Sequence, residues 1–90
     1  MERVILERLA MVDYTPYTIM AVARDGSDHT QVLVSQGDRL IASVPYQNRA
    51  PDEALDMALD DLDLIVRRLP LSHCFRLPVY VMEDDRWREW

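Results

Sequence analysis

The residues able to do chemistry are few, and most of them are acidic. His73 and Cys74 are neighbours. A thiolate–imidazole pair must converge on one point, and adjacent residues in a strand or a helix do not face one another. The pair therefore reads as a structural cysteine beside a surface histidine. A small hydrolase built on it would need a thiol of unusual reactivity toward alkylating agents. His29 follows an Asp-Gly turn and is expected to face solvent. Two histidines and one cysteine, with no HxH, CxxC or HExxH spacing, are too few ligands for a transition-metal site. The run Asp60-Asp61-Leu62-Asp63 lacks the glycine turn and closing glutamate of a calcium loop. No GxGxxG, P-loop or GxSxG pattern occurs. All ten basic residues are arginine, so no lysine is present to form a Schiff base. These observations lead to the expectation of a non-enzyme without metal or cofactor.

What remains is a ridge of carboxylates: Asp52, Asp56, Asp60 and Asp63, spaced by four, four and three residues. The element that positions them is Pro51 to Pro70, PDEALDMALDDLDLIVRRLP. Pro51 suits the first helical position, where an N–H would have no partner. Asp52 and Glu53 meet the positive end of the helix dipole, and Arg67 and Arg68 meet the negative end. Pro70 ends the helix by restricting Leu69 and lacking an N–H. Leu55, Ala58, Leu59, Leu62, Ile65, Val66 and Leu69 form one apolar stripe, widened by Met57 and Leu64. At about 1.5 Å per residue, the ridge carboxylates recur roughly every 4.5–6 Å. Asp56 and Asp60 are like charges at i, i+4, which costs a few tenths of a kcal/mol. Asp is also a poorer helix former than Glu. The ridge is thus mildly unfavourable for the helix that carries it, whereas Asp63 and Arg67 make a helpful i, i+4 pair.

Ninety residues make a single domain, residues 1–90, with a modest core. Hydrophobic content of 49% with 29% charged residues excludes a disordered chain. The net charge is −6, and six acids against two arginines give the helix −4 of it. Such a chain is expected to avoid nucleic acid and to seek basic partners. One cysteine excludes an internal disulfide and suits a cytoplasmic setting. No apolar run is long enough to span a membrane, and MERVILERLAM lacks the basic lead and cleavage site of a signal peptide.

Along the chain, residues 2–13 fit two periods. Ile5, Leu9 and Val12 share a helical face, while Val4, Leu6, Ala10 and Val12 alternate with Arg8 as the break. The expectation is a short N-terminal helix. Residues 14–17, YTPY, read as a turn or edge entry. YTIMAVAR (17–24), HTQVLVS (29–35) and RLIASVPY (39–46) read as strands separated by Asp25-Gly26 and Gly37-Asp38 turns, hence an antiparallel meander. Pro45 places the end of the third strand at an edge or exit. Val79 to Met82 suggests a fourth strand, and EDDRWREW one or two helical turns with Trp87 and Trp90 on one side. The expected fold class is α+β: a three- to four-stranded antiparallel sheet with one long amphipathic helix packed on one face. The expected core is Ile19, Val22, Val32, Val34, Ile41 and Val44 against Leu55, Leu59, Leu62, Ile65 and Val66.

Two functional expectations follow. In the first, Asp52, Asp56, Asp60 and Asp63 dock on a basic, nucleic-acid-binding surface of a partner protein. Their repeat approximates the phosphate spacing of a nucleic-acid strand, and small acidic proteins of this kind are common among phage-borne inhibitors of restriction and CRISPR systems. Electrostatic complementarity would speed encounter and fix specificity. In the second, Trp87 and Trp90 anchor an apolar interface, of the sort that forms two-fold homodimers. The strands followed by the proline-led helix DEALDMALDDL resemble, over residues 39 to 66, the strand–strand–helix half of HicB-type antitoxins. The glycine- and proline-bearing segment that precedes the helix in that family is absent here. The resemblance implies a dimerising regulatory domain that binds its partner through apolar contacts.

Overall fold

A computed structural model describes residues 2–24, 26, 28–71 and 78–90. It is an α+β fold in which one helix packs on an antiparallel sheet, and the sheet has six strands. In chain order these are β1 (Glu2–Val12), β2 (Thr15–Arg24), β3 (His29–Gln36) and β4 (Arg39–Gln47), then helix α1 (Pro51–Arg67), then β5 (Tyr80–Glu83) and β6 (Arg86–Glu89). Spatial order equals chain order, and every neighbouring pair is antiparallel.

Two expectations at the ends of the chain are corrected. Residues 2–12 form a strand rather than a helix. The alternation of Leu6, Ala10 and Val12 is the true period, and these three pack against the core. Arg8 sits in the same row but is exposed, which a strand at the sheet edge tolerates. The C-terminal segment EDDRWREW closes a hairpin instead of forming a helical turn. Asp84 and Asp85 take φ of 53° and 60°, and Asp13 and Tyr14 take 50° and 65°. Two successive residues at positive φ make the two-residue turn whose twist matches a hairpin, and Asp tolerates that region better than most residues. The sheet therefore gains one strand at each end beyond the four expected.

The helix has its expected start, with Pro51 in the first turn after Ala50 and with Asp52 and Glu53 beside it. Its end lies before Pro70. Arg68 adopts the left-handed conformation; its N–H donates to Ile65 O at 3.2 Å, and Leu69 N–H donates to Leu64 O at 2.8 Å. This pair of bonds satisfies the last carbonyls. Two further bonds fix the approach to the helix: Thr30 Oγ1 donates to Arg49 O at 2.9 Å, and Asn48 N–H to Asp28 O at 2.9 Å.

α1 lies over β1 to β4 on one face. The core joins Ile19, Ala21, Val32, Val34, Ala42, Val44, Tyr46 and Val81 of the sheet to Ala54, Leu55, Ala58, Leu62 and Ile65 of the helix. The expected stripe is rotated: Ala54 and Asp61 are buried, whereas Leu59 and Val66 are only half-buried. Val22 is buried but pairs with Gln31 on the opposite side of the sheet, so it belongs to no helix–sheet core. Asp61 was counted neither in the apolar stripe nor in the acidic ridge. It is almost fully buried and accepts a hydrogen bond from Tyr46 Oη at 3.3 Å, with Tyr46 itself inaccessible.

Two stability predictions follow. Tyr14 is 95% exposed at positive φ, so its side chain offers little to offset the backbone strain. A non-glycine residue there costs about 1–2 kcal/mol, partly offset by the roughly 0.5–1 kcal/mol of entropy that glycine loses on folding. Tyr14→Gly is expected to raise Tm by roughly 2–8 °C in a thermal melt; an unchanged or lower Tm contradicts the turn geometry. Tyr46→Phe removes a buried donor from Asp61 and is expected to cost about 1–3 kcal/mol in urea unfolding.

Candidate interaction surfaces

Two surfaces stand out, on opposite sides of the molecule. The first is the outer side of α1. Asp52, Asp56, Asp60 and Asp63 are all exposed there, as the helical spacing requires. They are not equivalent. Asp63 accepts a hydrogen bond from Arg67 Nε at 2.7 Å, and Arg67 also pairs with Asp13 of the β1–β2 turn. The bond from Asp63, then the charge of Asp13, raise the Arg67 guanidinium above its ordinary pKa. Among the described residues no ion pair reaches Asp52, Asp56 or Asp60, while Arg49 pairs with Glu53 at 3.1 Å. The net-negative stretch is therefore the first two-thirds of the helix, and its C-terminal end is neutralised. There Arg68 also pairs with Glu83 at 3.2 Å and ties the helix end to β5.

The second surface is the side of the sheet that α1 does not cover. Strand register gives its composition directly. Reading across all six strands, Glu7 pairs with Met20, Met20 with Leu33, Leu33 with Ser43, Ser43 with Tyr80, and Tyr80 with Glu89. The adjacent row on the helix side is Arg8, Ile19, Val34, Ala42, Val81 and Arg88 by the same pairings. Both rows are largely apolar at the centre and charged at the rims, with glutamates on the open side and arginines on the helix side. Both arginines make their contacts within the sheet: Arg88 pairs with Glu83 of β5 at 3.3 Å, and Arg8 Nη1 donates to Glu7 O at 3.1 Å. On the open side, Leu9 is 74% and Met11 62% exposed. A polar pair within that face is internally satisfied, because Gln31 Nε2 donates to Ser43 Oγ.

The two tryptophans do not share a side. Trp87 pairs with Met82 on the open face. Trp90 N–H donates to Val79 O at 2.7 Å, which prolongs the β5–β6 ladder by one position. A spacing of three puts residues on one side of a helix but on opposite faces of a strand. Trp90 therefore lies on the helix side of the sheet, and Trp87, 42% exposed, remains with Tyr80 on the open face.

His29 Nδ1 lies 3.6 Å from the neighbouring Asp28 and is half-buried. His73 and Cys74 lie outside the described residues. Among the described residues no three of His, Cys, Asp and Glu are grouped to hold a metal ion, and no helix is long and apolar enough to cross a membrane. No protein-family model matches the chain, and comparison with curated proteins and with solved structures returns no match.

Sequence reasoning located the ridge but missed the open face and the burial of Asp61. The first depends on how many strands one helix must cover. A signal for the second was present, since Asp61 falls three residues after Ala58 and four before Ile65, within the apolar stripe. The Arg67 cluster is exposed, and exposed ion pairs are weakly stabilising and screened by salt. Arg67→Ala is accordingly expected to lower the urea midpoint only slightly at low salt, with the difference shrinking in 1 M NaCl. A large, salt-independent drop in the midpoint would show that the cluster holds the β1–β2 turn to the helix by packing.

Proposed function

We propose that this protein is a non-enzymatic binding module that docks the acidic side of α1 on a basic, nucleic-acid-binding surface of a partner protein, and so inhibits that partner. One observation carries the reading: Asp52, Asp56 and Asp60 project from consecutive turns, exposed and without ion pairs among the described residues. Three bare carboxylates on one rigid helix face meet a cationic groove without rearrangement, which favours a high on-rate and a fixed register. Their repeat of roughly 6 Å per turn is close to the interval between phosphates of a nucleic-acid strand. The finer assignment is a nucleic-acid mimic of the phage anti-defence type, supported by the size of 90 residues and the charge of −6.

A second reading, a regulatory or antitoxin-like domain that binds through apolar contacts, is favoured by the exposed Trp87, Leu9 and Met11. The two readings use different faces and respond oppositely to salt. The experiment is a parallel pull-down from source-host extract with the wild-type chain and with Asp52→Arg/Asp56→Arg/Asp60→Arg, at low and high NaCl, with short duplex DNA as competitor. Nucleic-acid-binding proteins that are captured by the wild type, lost with the variant, and displaced by salt and by DNA are the expected result. Capture of the same proteins by the variant, insensitive to salt, would overturn the acidic-face reading.

A further inference from the structure

The side of the sheet opposite α1 is broad and apolar: Val22 is buried on it, Met20 and Leu33 are half-buried at its centre, and Leu9, Met11, Tyr80 and Trp87 are exposed towards its two edges. Monomeric proteins rarely leave such a surface in water. We propose that it packs against the same face of a second copy of this chain, forming a two-fold dimer with both helices outside. The inference does not depend on the acidic-face reading above.

Area is the first argument. Six strands about 4.8 Å apart span about 24 Å, and eight residues at about 3.4 Å run about 27 Å. The short β5 and β6, of four residues each, reduce the footprint, leaving roughly 500–600 Å² of projected sheet per copy by the same spacings. Side chains corrugate that surface, so two facing copies bury upwards of about 1,000 Å², which enters the range of specific interfaces. Sheets packed face to face are an ordinary way to complete a core.

Charge is the second argument, and it selects the occupant. Each copy carries −6, so contact through α1 would set carboxylates against carboxylates. The turns offer no better surface, since Asp38, Asp84 and Asp85 are exposed there. On the open face the side chains of Met20, Leu33, Tyr80 and Trp87 are uncharged, with Glu7 and Glu89 only at the rims. A strongly basic partner finds little there, whereas an identical apolar face does. Glu7 and Glu89 are exposed at the rims, where solvent and salt screen the repulsion between two copies. An isologous dimer of this kind also covers Leu9 and Met11 in both copies at once.

The test is sedimentation equilibrium of the wild-type chain, with Leu9→Arg and Trp87→Arg as variants. Both positions are exposed in the single copy, so either variant keeps the monomer folded, and circular dichroism checks this. The expected result is a species of twice the 10.5 kDa chain mass, held or tightened by added salt, and weakened about tenfold or more by each variant, since each replaces a buried apolar contact with a charge. A wild type that stays monomeric at ~100 µM, a hundredfold above a micromolar Kd, overturns the proposal. So does a dimer that both variants leave intact, which would place the contact elsewhere, such as the free edge of β1. Salt separates this outcome from failure of the acidic-face reading, because docking on a basic surface weakens as salt rises whereas apolar association does not.

Discussion

Everything in this fold depends on how closely one helix can approach the sheet. α1 presents Ala54 and Ala58 among its buried residues, and the sheet answers with Ala21 and Ala42. Small side chains on both sides bring the backbones together, and the larger Ile19, Leu55, Leu62 and Ile65 then fill the space around them. Within that contact sits a polar bond, Tyr46 to Asp61, shielded from water on both partners. A buried carboxylate is tolerable only when it is hydrogen-bonded. The bond therefore constrains the register of helix on sheet more narrowly than apolar packing does, since sliding the helix by a residue would strand Asp61. I.e. specificity of docking and its strength come from different side chains.

That single contact also sets a limit. A helix of about 10 Å diameter covers one side of a sheet that is more than twice as wide, and the other side is left to its own residues. The paired rows show how the chain manages this asymmetry. Arginines flank the side that α1 covers, and glutamates flank the opposite side. Charges at the rims keep the free edges of β1 and β6 from recruiting further strands, while the centres stay apolar. The acidic helix and the open face are thus two consequences of one layered arrangement.

How much of this was legible in the residues depended on whether two periods competed. The helix was legible because its apolar stripe, its Pro51 start and its terminal arginines agreed. The three central strands were legible because Gly26 and Gly37 punctuated them. β1 was obscured by Arg8, which breaks an alternating pattern just where an edge strand can afford a charge, and by the helical spacing of Ile5, Leu9 and Val12. The final hairpin was obscured because Glu83, Asp84 and Asp85 resemble a helix start, and Trp87 and Trp90 sit three apart. Only the left-handed backbone at Asp84 and Asp85 resolves that ambiguity, and composition does not reveal it. The acidic ridge and the Asp63–Arg67 pair were legible from helical spacing, but Asp13, fifty residues away in the chain, which shares Arg67, was not.

The order of the strands has a kinetic side. β1 to β4 connect only through short turns, so each pairing closes a small loop and the four-stranded meander can assemble from local contacts. β5 joins β4 across the whole helix and its return segment, and among the described residues the register between them is two positions, Ala42 with Val81 and Ser43 with Tyr80. The β5–β6 hairpin therefore carries the largest loop-closure cost for the fewest ladder bonds. It is the cooperative unit that docks last and opens first, and amide exchange would detect it as a block of weakly protected hydrogens beside a well-protected meander. Since Tyr80 and Trp87 ride on that hairpin, the open face is complete only while its least firmly held unit is closed.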